Sequence, residues 1–291
     1  MSYTPCSPCR VNDLCVKPKA VLSSQQENVH LAHFYPKPSL VGTRFNRVRR
    51  LVQAYARYRR TQDAPLRFLD VGALFGLQKR WAYMHRLGVI EPILVEPDAA
   101  EAARLRAQYP GALIIEAALG ARKGDVMLRM TRDQGKSSLL EPDFANIAKF
   151  EPIDDWQVVR EVPIQVDRLD DLLAGKPAPH FMKIDVQGYE LEVLKGAEET
   201  LRDTLALEIE ASSVPLYLGQ PDVSELTRWL LDRGFACIAV KTTGTFGGEG
   251  INAVEFDCFF INRRLAEEQS DAVAIWRTVN RIRTAGGWDM Y

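Results

Sequence analysis

From Leu66 onward the hydrophobic positions of the chain alternate between two periods. Short apolar runs that end in glycine or an acid, such as "RFLDVG", "PILVEPD" and "ALIIEAALG", fit strands. In "LQKRWAYMHRLG" and "DAAEAARLRAQYPG" apolar residues return every three or four positions, which predicts helices. The second opens on an Asp and closes on Pro-Gly, an N-cap and a stop. "DVMLRMT" and "WQVVREVPIQV" read as strands around the loop "RDQGKSSLLEPDF", and "DRLDDLLAG" as a short helix. "HFMKIDV" is again a strand, "GYELEVLKGAEETL" a helix, "TLALEIE" a strand and "VSELTRWLLDRG" a helix. "FACIAVK" and "EFDCFFIN" end the pattern as two strands joined by the Gly-rich "TTGTFGGEG". Strands apolar along their whole length need cover on both faces, so the pattern predicts an α/β fold, a mostly parallel sheet between two helix layers. No helix separates the last two strands, so one of them runs antiparallel.

The flanks read differently. Residues 1–43 show no sustained period and predict an irregular arm; residues 63–264 form the main domain. Between them, residues 44–62 contain "RFNRVRRLVQAYARYRR", with Phe45, Val48, Leu51, Val52, Tyr55 and Tyr58 at helical spacing and Arg on the other face. Such a basic helix either packs its stripe on the domain or lies on phosphates or a membrane surface. Residues 265–291 carry a second one, "DAVAIWRTVNRIR". These two helices leave a homodimer open.

Composition narrows the function classes. The chain has 291 residues, 46% hydrophobic and 26% charged, with a formal net charge of -1. That is an ordinary globular balance with no electrostatic footprint for nucleic acid. No apolar run has the length of a membrane span, and the first thirty residues lack the pattern of a signal peptide, so the expected location is cytoplasmic. Cys6, Cys9 and Cys15 cluster in the arm without a nearby His to complete a zinc spacing, and no metal is expected. Cys237 and Cys258 fall in apolar runs and read as small buried hydrophobes.

In open α/β sheets ligands bind beyond the carboxyl ends of the strands. The residues at those ends are Asp70, Gly72, Ala73 and Gly76 in "LDVGALFG", Glu96 and Pro97 in "LVEPD", Ala117 and Ala118 in "EAALG", Asp185 in "KIDVQG" and Glu210 in "ALEIE". An acid about twenty residues after a glycine turn suits the two hydroxyls of a ribose. The dinucleotide fingerprint G-x-G-x-x-G is not there, so a cofactor with a ribose and no pyrophosphate fits, namely S-adenosylmethionine. Lys183 and Asp185 lie two apart in a buried strand, hence on one face. They face either a pocket or only each other. Ser137 and Ser138 lie in a loop that either covers the cofactor or is a plain turn. His180 stands at the start of its strand, away from the ligand end, and His85 within a helix. His30 and His33 reach the site only if the arm folds over it.

These motifs resemble the FkbM-type methyltransferases, a branch of the class I S-adenosylmethionine-dependent fold. The resemblance runs from about Arg67 to Asn262 through "FLDVGALFG", "LVEPD", "AALG", "GKSSLLEPD", "VDRLDDLL", "FMKIDVQGYELEVLKGA", "IEASSVPLYLGQPD" and "EFDCFFIN". It implies a Rossmann-like, seven-stranded, mostly parallel sheet with an antiparallel last strand. It further implies methylation of a hydroxyl on a sugar or natural product. Asp70, Gly72, Ala73, Gly76, Glu96, Pro97, Ala117, Ala118, Ser138 and Asp185 would hold the cofactor. Asp185 would be the base or orienting group, with Glu210 second and Lys183 assisting. Tyr217 lines the acceptor site by analogy, or belongs to the core. Two positions depart from the family: Leu74 stands where Asn is usual, and Gln187 where Glu is usual, so position 187 does not titrate here. A nucleotide- or dinucleotide-binding enzyme and a non-catalytic binding protein on the same sheet are the alternatives.

Overall fold

The computed structural model describes residues 44–246 and 252–284. Cys6, Cys9, Cys15, His30 and His33 lie outside them. Helix α1 (Arg44–Tyr58) precedes an alternating series: β1 (Leu66–Val71), α2 (Lys79–Arg86), β2 (Ile90–Val95), α3 (Ala99–Gln108) and β3 (Leu113–Ile115). Then come β4 (Ala118–Leu119), β5 (Gly124–Thr131), α4 (Phe144–Ile147), β6 (Val158–Asp167), α5 (Leu169–Leu172) and β7 (Phe181–Ile184). The chain continues with α6 (Glu190–Lys195), α7 (Glu198–Arg202), β8 (Ala206–Ser212) and α8 (Val223–Leu231). It ends with β9 (Phe235–Phe246), β10 (Asn252–Asn262), α9 (Arg263–Glu268) and α10 (Ser270–Thr284).

Seven strands form one sheet in the order β3-β2-β1-β7-β8-β10-β9. All neighbours run parallel except β10, which is antiparallel to both β8 and β9. The order reverses between β1 and β7, where the chain leaves for other elements, and that opens a crevice at the carboxyl ends. Two predicted elements are each two. "ALIIEAALG" is not one strand: β3 pairs with β2, and two residues later β4 pairs with β6 in a separate sheet, β4-β6-β5. "GYELEVLKGAEETL" breaks after Lys195. There the chain passes so close to Gly120 that a Cβ on Gly196 would lie 2.0 Å from its carbonyl oxygen.

The central strands are buried on both faces, with opposite composition. Leu69, Val71, Met182, Ile184, Leu207 and Ile209 point to one side and meet Leu169, Val193, Leu194, Leu226 and Leu230 of the covering helices. The other side is layered by the two-residue period of the strands. Phe68 and Phe181 are register partners in the lowest layer. Trp81 of α2 stacks on Phe68 at 4.1 Å, and Trp276 of α10 tilts over Phe181 at 4.9 Å. Two residues further along, Asp70, Lys183 and Glu208 are register partners and form an ionic layer. Two further again, Gly72, Asp185 and Glu210 reach the crevice.

Helix α1 packs its stripe inward through Leu51, Ala54 and Tyr58, all buried. Val52, assigned to that stripe from its spacing, is 58% exposed, because Ala54 lies on the buried side of the turn in its place. Arg49 and Arg50 face solvent, and Arg57 pairs with Asp271 of α10 at 2.7 Å. Among the described residues no helix is long and apolar enough to cross a membrane.

Candidate active site

A cleft of about 1360 Å³ lies over the carboxyl ends of β1, β2, β7 and β8. Its floor begins with the turn after β1. Gly72 has φ +80°, and a Cβ there would lie 1.9 Å from the Asp185 carbonyl oxygen, so glycine alone lets the tips of β1 and β7 approach this closely. Phe75, 65% exposed, also has a positive φ of 66°. Its N–H donates to Glu101 Oε1 at 2.9 Å. Ala73 stands apart from the cleft lining: it is buried, and its N–H goes to the Val95 carbonyl at 3.0 Å. Gly72 and Gly76 line the cleft, as do Glu96 and Pro97 beyond β2 and Ala117 and Ala118 beyond β3. Glu96 accepts the Asp98 N–H at 2.9 Å, and burial pushes its carboxyl up to about 7.

The loop of residues 133–139 leaves β5 and lines one wall. Ser138 fixes it: its hydroxyl donates to the Gln187 carbonyl at 2.6 Å and accepts the Leu140 N–H at 3.0 Å. Ser137 accepts the Thr131 N–H at 3.1 Å.

At the tip of β7 the two candidate residues of the strand divide. Lys183 is 5% exposed, with Nζ 2.9 Å from Asp185 Oδ2 and 3.6 Å from Asp70 Oδ1. Burial alone would push its ammonium down; Asp185 and Asp70 more than offset this and hold it above its ordinary value. Burial would raise Asp185, yet Lys183 and hydrogen bonds from Glu210 and Gln187 hold it below the usual carboxylate range. Asp70 is pushed up to about 7 by burial, which outweighs its distant lysine. Glu210 is raised well above its ordinary value, by burial first and by the charges of Asp185 and Glu255 next. Of the two, then, Asp185 gives up its proton more readily and Glu210 holds one more firmly.

Gln187 ties this pair together. It sits at φ +55°, and its Nε2 donates to Asp185 Oδ1 at 2.9 Å and to Glu210 Oε2 at 2.6 Å. Its Oε1 lies 3.0 Å from the Tyr217 hydroxyl, which also reaches the Lys136 carbonyl at 2.9 Å. Tyr217 belongs to the core, buried against Trp156, and its hydroxyl touches the cleft wall through Gln187 and the Lys136 carbonyl. His180 is remote from the cleft: its Nδ1 accepts the Arg67 N–H at 3.0 Å, and burial pushes its imidazole down to about 4. His85 packs edge-on against Tyr109.

Glu255 and Arg80 are among the lining residues that reasoning from strand ends does not reach. Glu255, pushed up to about 7 by burial, reaches the cleft because β10 is antiparallel and delivers its starting end there, where a rule about strand ends does not look. Arg80 is hidden in what reads as an ordinary amphipathic helix. It is 4% exposed, and Nη2 contacts both oxygens of Glu208. Among the described residues no His, Cys, Asp or Glu cluster is arranged to hold a metal ion.

A seven-stranded sheet with one antiparallel strand, a glycine turn after β1, and acids at the next strand tips define a class I methyltransferase. Residues 70–237 match the methyltransferase FkbM domain, and the chain belongs to that family. It is 30% identical over 161 residues to the 2-O-methyltransferase NoeI of Sinorhizobium fredii, a match spanning 52% of this chain and 65% of that protein. Solved structures similar to it include a TehB-like SAM-dependent methyltransferase from Corynebacterium glutamicum (9% identity, TM-score 0.37, covering 75% of this chain and 95% of that one). Another is the Burkholderia thailandensis 1,6-didemethyltoxoflavin-N1-methyltransferase (9% identity, TM-score 0.36, covering 73% and 78%). The cofactor is S-adenosylmethionine, and the residues of the cleft fit it. Glu96 offers a carboxylate beside the crevice, Gly72 leaves the turn open to close approach, and Asp70 Oδ1 is buried without a hydrogen-bond partner.

Proposed function

We propose that the chain methylates oxygen, on a hydroxyl of a sugar or a sugar-like natural product. The observation that carries this is the group of Asp185, Gln187, Glu210 and Glu255 lining one end of the cleft. Carboxylates and an amide oxygen accept hydrogen bonds from neighbouring hydroxyls, which suits a polyol. The name of the relative that methylates a 2-oxygen supports the same class.

Glu96, Pro97, Gly72, Gly76, Ala117, Ala118 and Ser138 hold the cofactor in this reading. When bound, it supplies a methyl group on a sulfonium, an electrophile that needs no further activation. The remaining work is positioning and proton removal. Asp185, ionised and held by Lys183 and Gln187, accepts the hydrogen bond of the acceptor hydroxyl and orients its oxygen. Lys183 is a positioning residue: its ammonium is engaged by Asp185 and Asp70. Asp185 and Glu210 share one proton and take up the acceptor's proton as a pair. The pair is a stronger base once Glu210 ionises, so transfer rises with pH through its upper apparent pKa.

The test is methyl transfer from labelled S-adenosylmethionine to a panel of polyol and glycan acceptors, with S-adenosylhomocysteine affinity measured alongside. Asp185→Asn should lower transfer about 100- to 10,000-fold, the range of a positioned base. Full transfer by that variant would remove Asp185 from the chemistry. Cofactor binding with no transfer to any hydroxyl would favour another acceptor atom or a binding protein.

A further inference from the structure

Three polar atoms of the cleft floor have no hydrogen-bond partner within the protein: Asp70 Oδ1, Arg80 Nε and Arg80 Nη1. Their residues are 2% and 4% exposed, and both line the cleft. Arg80 is close enough to act electrostatically on Asp70. Buried guanidinium nitrogens left unsatisfied are costly, and such groups persist where something other than the protein completes them. The other cations of the lining are committed or solvated. Lys183 lies between Asp70 and Asp185, Arg104 pairs with Glu101, Lys136 with Glu151 and Arg160 with Asp98. Lys79 is exposed and Lys241 partly so. Arg80 alone combines burial with free donors.

The orphaned atoms are complementary in kind, donors on one residue and an acceptor on the other. That pairing matches an α-amino-acid head group, which carries an anion and a cation a few bonds apart. Their place matches too. Glu96 stands at the tip of β2; β1 lies between β2 and β7, and Asp70 and Arg80 stand at this β1–β7 end. A ligand with its ribose near Glu96 extends its other end toward them.

We infer that Arg80 anchors the carboxylate of the cofactor's methionyl end, with Asp70 Oδ1, which has no hydrogen bond and only the Lys183 ammonium at 3.6 Å, receiving the adjoining ammonium. This rests on the S-adenosylmethionine pocket described above. Arg80 is thereby shared between Glu208, which fixes one nitrogen, and the ligand, which takes the others. Lysine does not substitute, since a single ammonium beside Glu208 presents no fork of donors to a second anion.

The test compares two ligands by titration calorimetry: S-adenosylhomocysteine, and 5′-methylthioadenosine, the same nucleoside without the amino-acid end. Arg80→Met alone takes away the guanidinium that contacts both oxygens of buried Glu208, so the variants are Arg80→Met/Glu208→Met, which removes both charges, and Arg80→Lys, which keeps a cation there. S-adenosylhomocysteine affinity should fall roughly 10- to 100-fold in both, the loss expected for charge-assisted hydrogen bonds. Methylthioadenosine affinity should stay within about twofold, so the wild-type preference for the amino-acid ligand collapses. A preference retained in the folded variants, or an equal loss for both ligands, would overturn the assignment. Wild-type protein that binds neither ligand would instead remove the cofactor pocket, and this inference with it.

Discussion

The two faces of β1, β7 and β8 share a backbone and a degree of burial, and little else. On one, Leu69, Met182 and Leu207 meet helices through apolar contact alone. On the other, the neighbouring residues Asp70, Lys183 and Glu208 form an ionic row with Arg80 laid over it. Burial therefore does not decide what a strand position tolerates. On the first face shape decides, and volume-conserving exchanges are mild. On the second the sum of charges decides, because each ion is kept by its neighbours.

The largest expected effect separates adjacent residues. Lys183→Met leaves Asp70, Asp185 and Glu208 facing one another and should destabilise the protein by about 3–5 kcal/mol in urea unfolding. Met182→Leu, one position away, should cost less than about 1.5 kcal/mol. Equal costs would erase the distinction between the faces.

A smaller effect involves pH. Burial pushes Asp70, Glu96, Glu190 and Glu255 up to about 7. Between their unfolded values, about 4, and their folded ones, the folded chain binds more protons than the unfolded chain, so stability falls as pH rises through that window. The melting temperature of the ligand-free protein should drop by roughly several degrees from pH 5 to pH 8. Asp185, shifted the other way, loses its contribution only as pH falls through its depressed pKa, below that window. A melting temperature that climbs over this range would contradict the burial of these acids.

The smallest effect tests the turn. Phe75→Gly removes a largely exposed phenyl from a residue at positive φ. Relief of left-handed strain and the added chain entropy of glycine nearly cancel, so stability should change by less than about 1 kcal/mol in either direction. A loss of several kcal/mol would mean that the ring is anchored in the fold.

How much of this could be read from the sequence follows from the same contrast. The periods of the strands and helices fixed the order of elements, and parallel strands place Glu96, Asp185 and Glu210 at the crevice by rule. Glu255 escaped because its strand runs the other way. Arg80 escaped because helical spacing distinguishes the buried side from the exposed one but not a buried cation from a solvated one. The division of "ALIIEAALG" escaped because one apolar run looks the same whether it serves one sheet or two. Gln187 reads as the loss of a carboxylate; its amide instead bridges Asp185, two positions back, and Glu210 on the neighbouring strand, a contact that the local sequence does not show.

The two-residue period of β7 has a last consequence, for length rather than composition. Phe181, Lys183 and Asp185 share one face only while their spacing is kept. Deleting any single residue between Phe181 and Asp185 would turn the positions on one side of the cut over, bringing Met182 or Ile184 toward the crevice or Lys183 into the apolar layer. Individual side chains in this segment can be exchanged at graded cost, but its reading frame admits no shift by one.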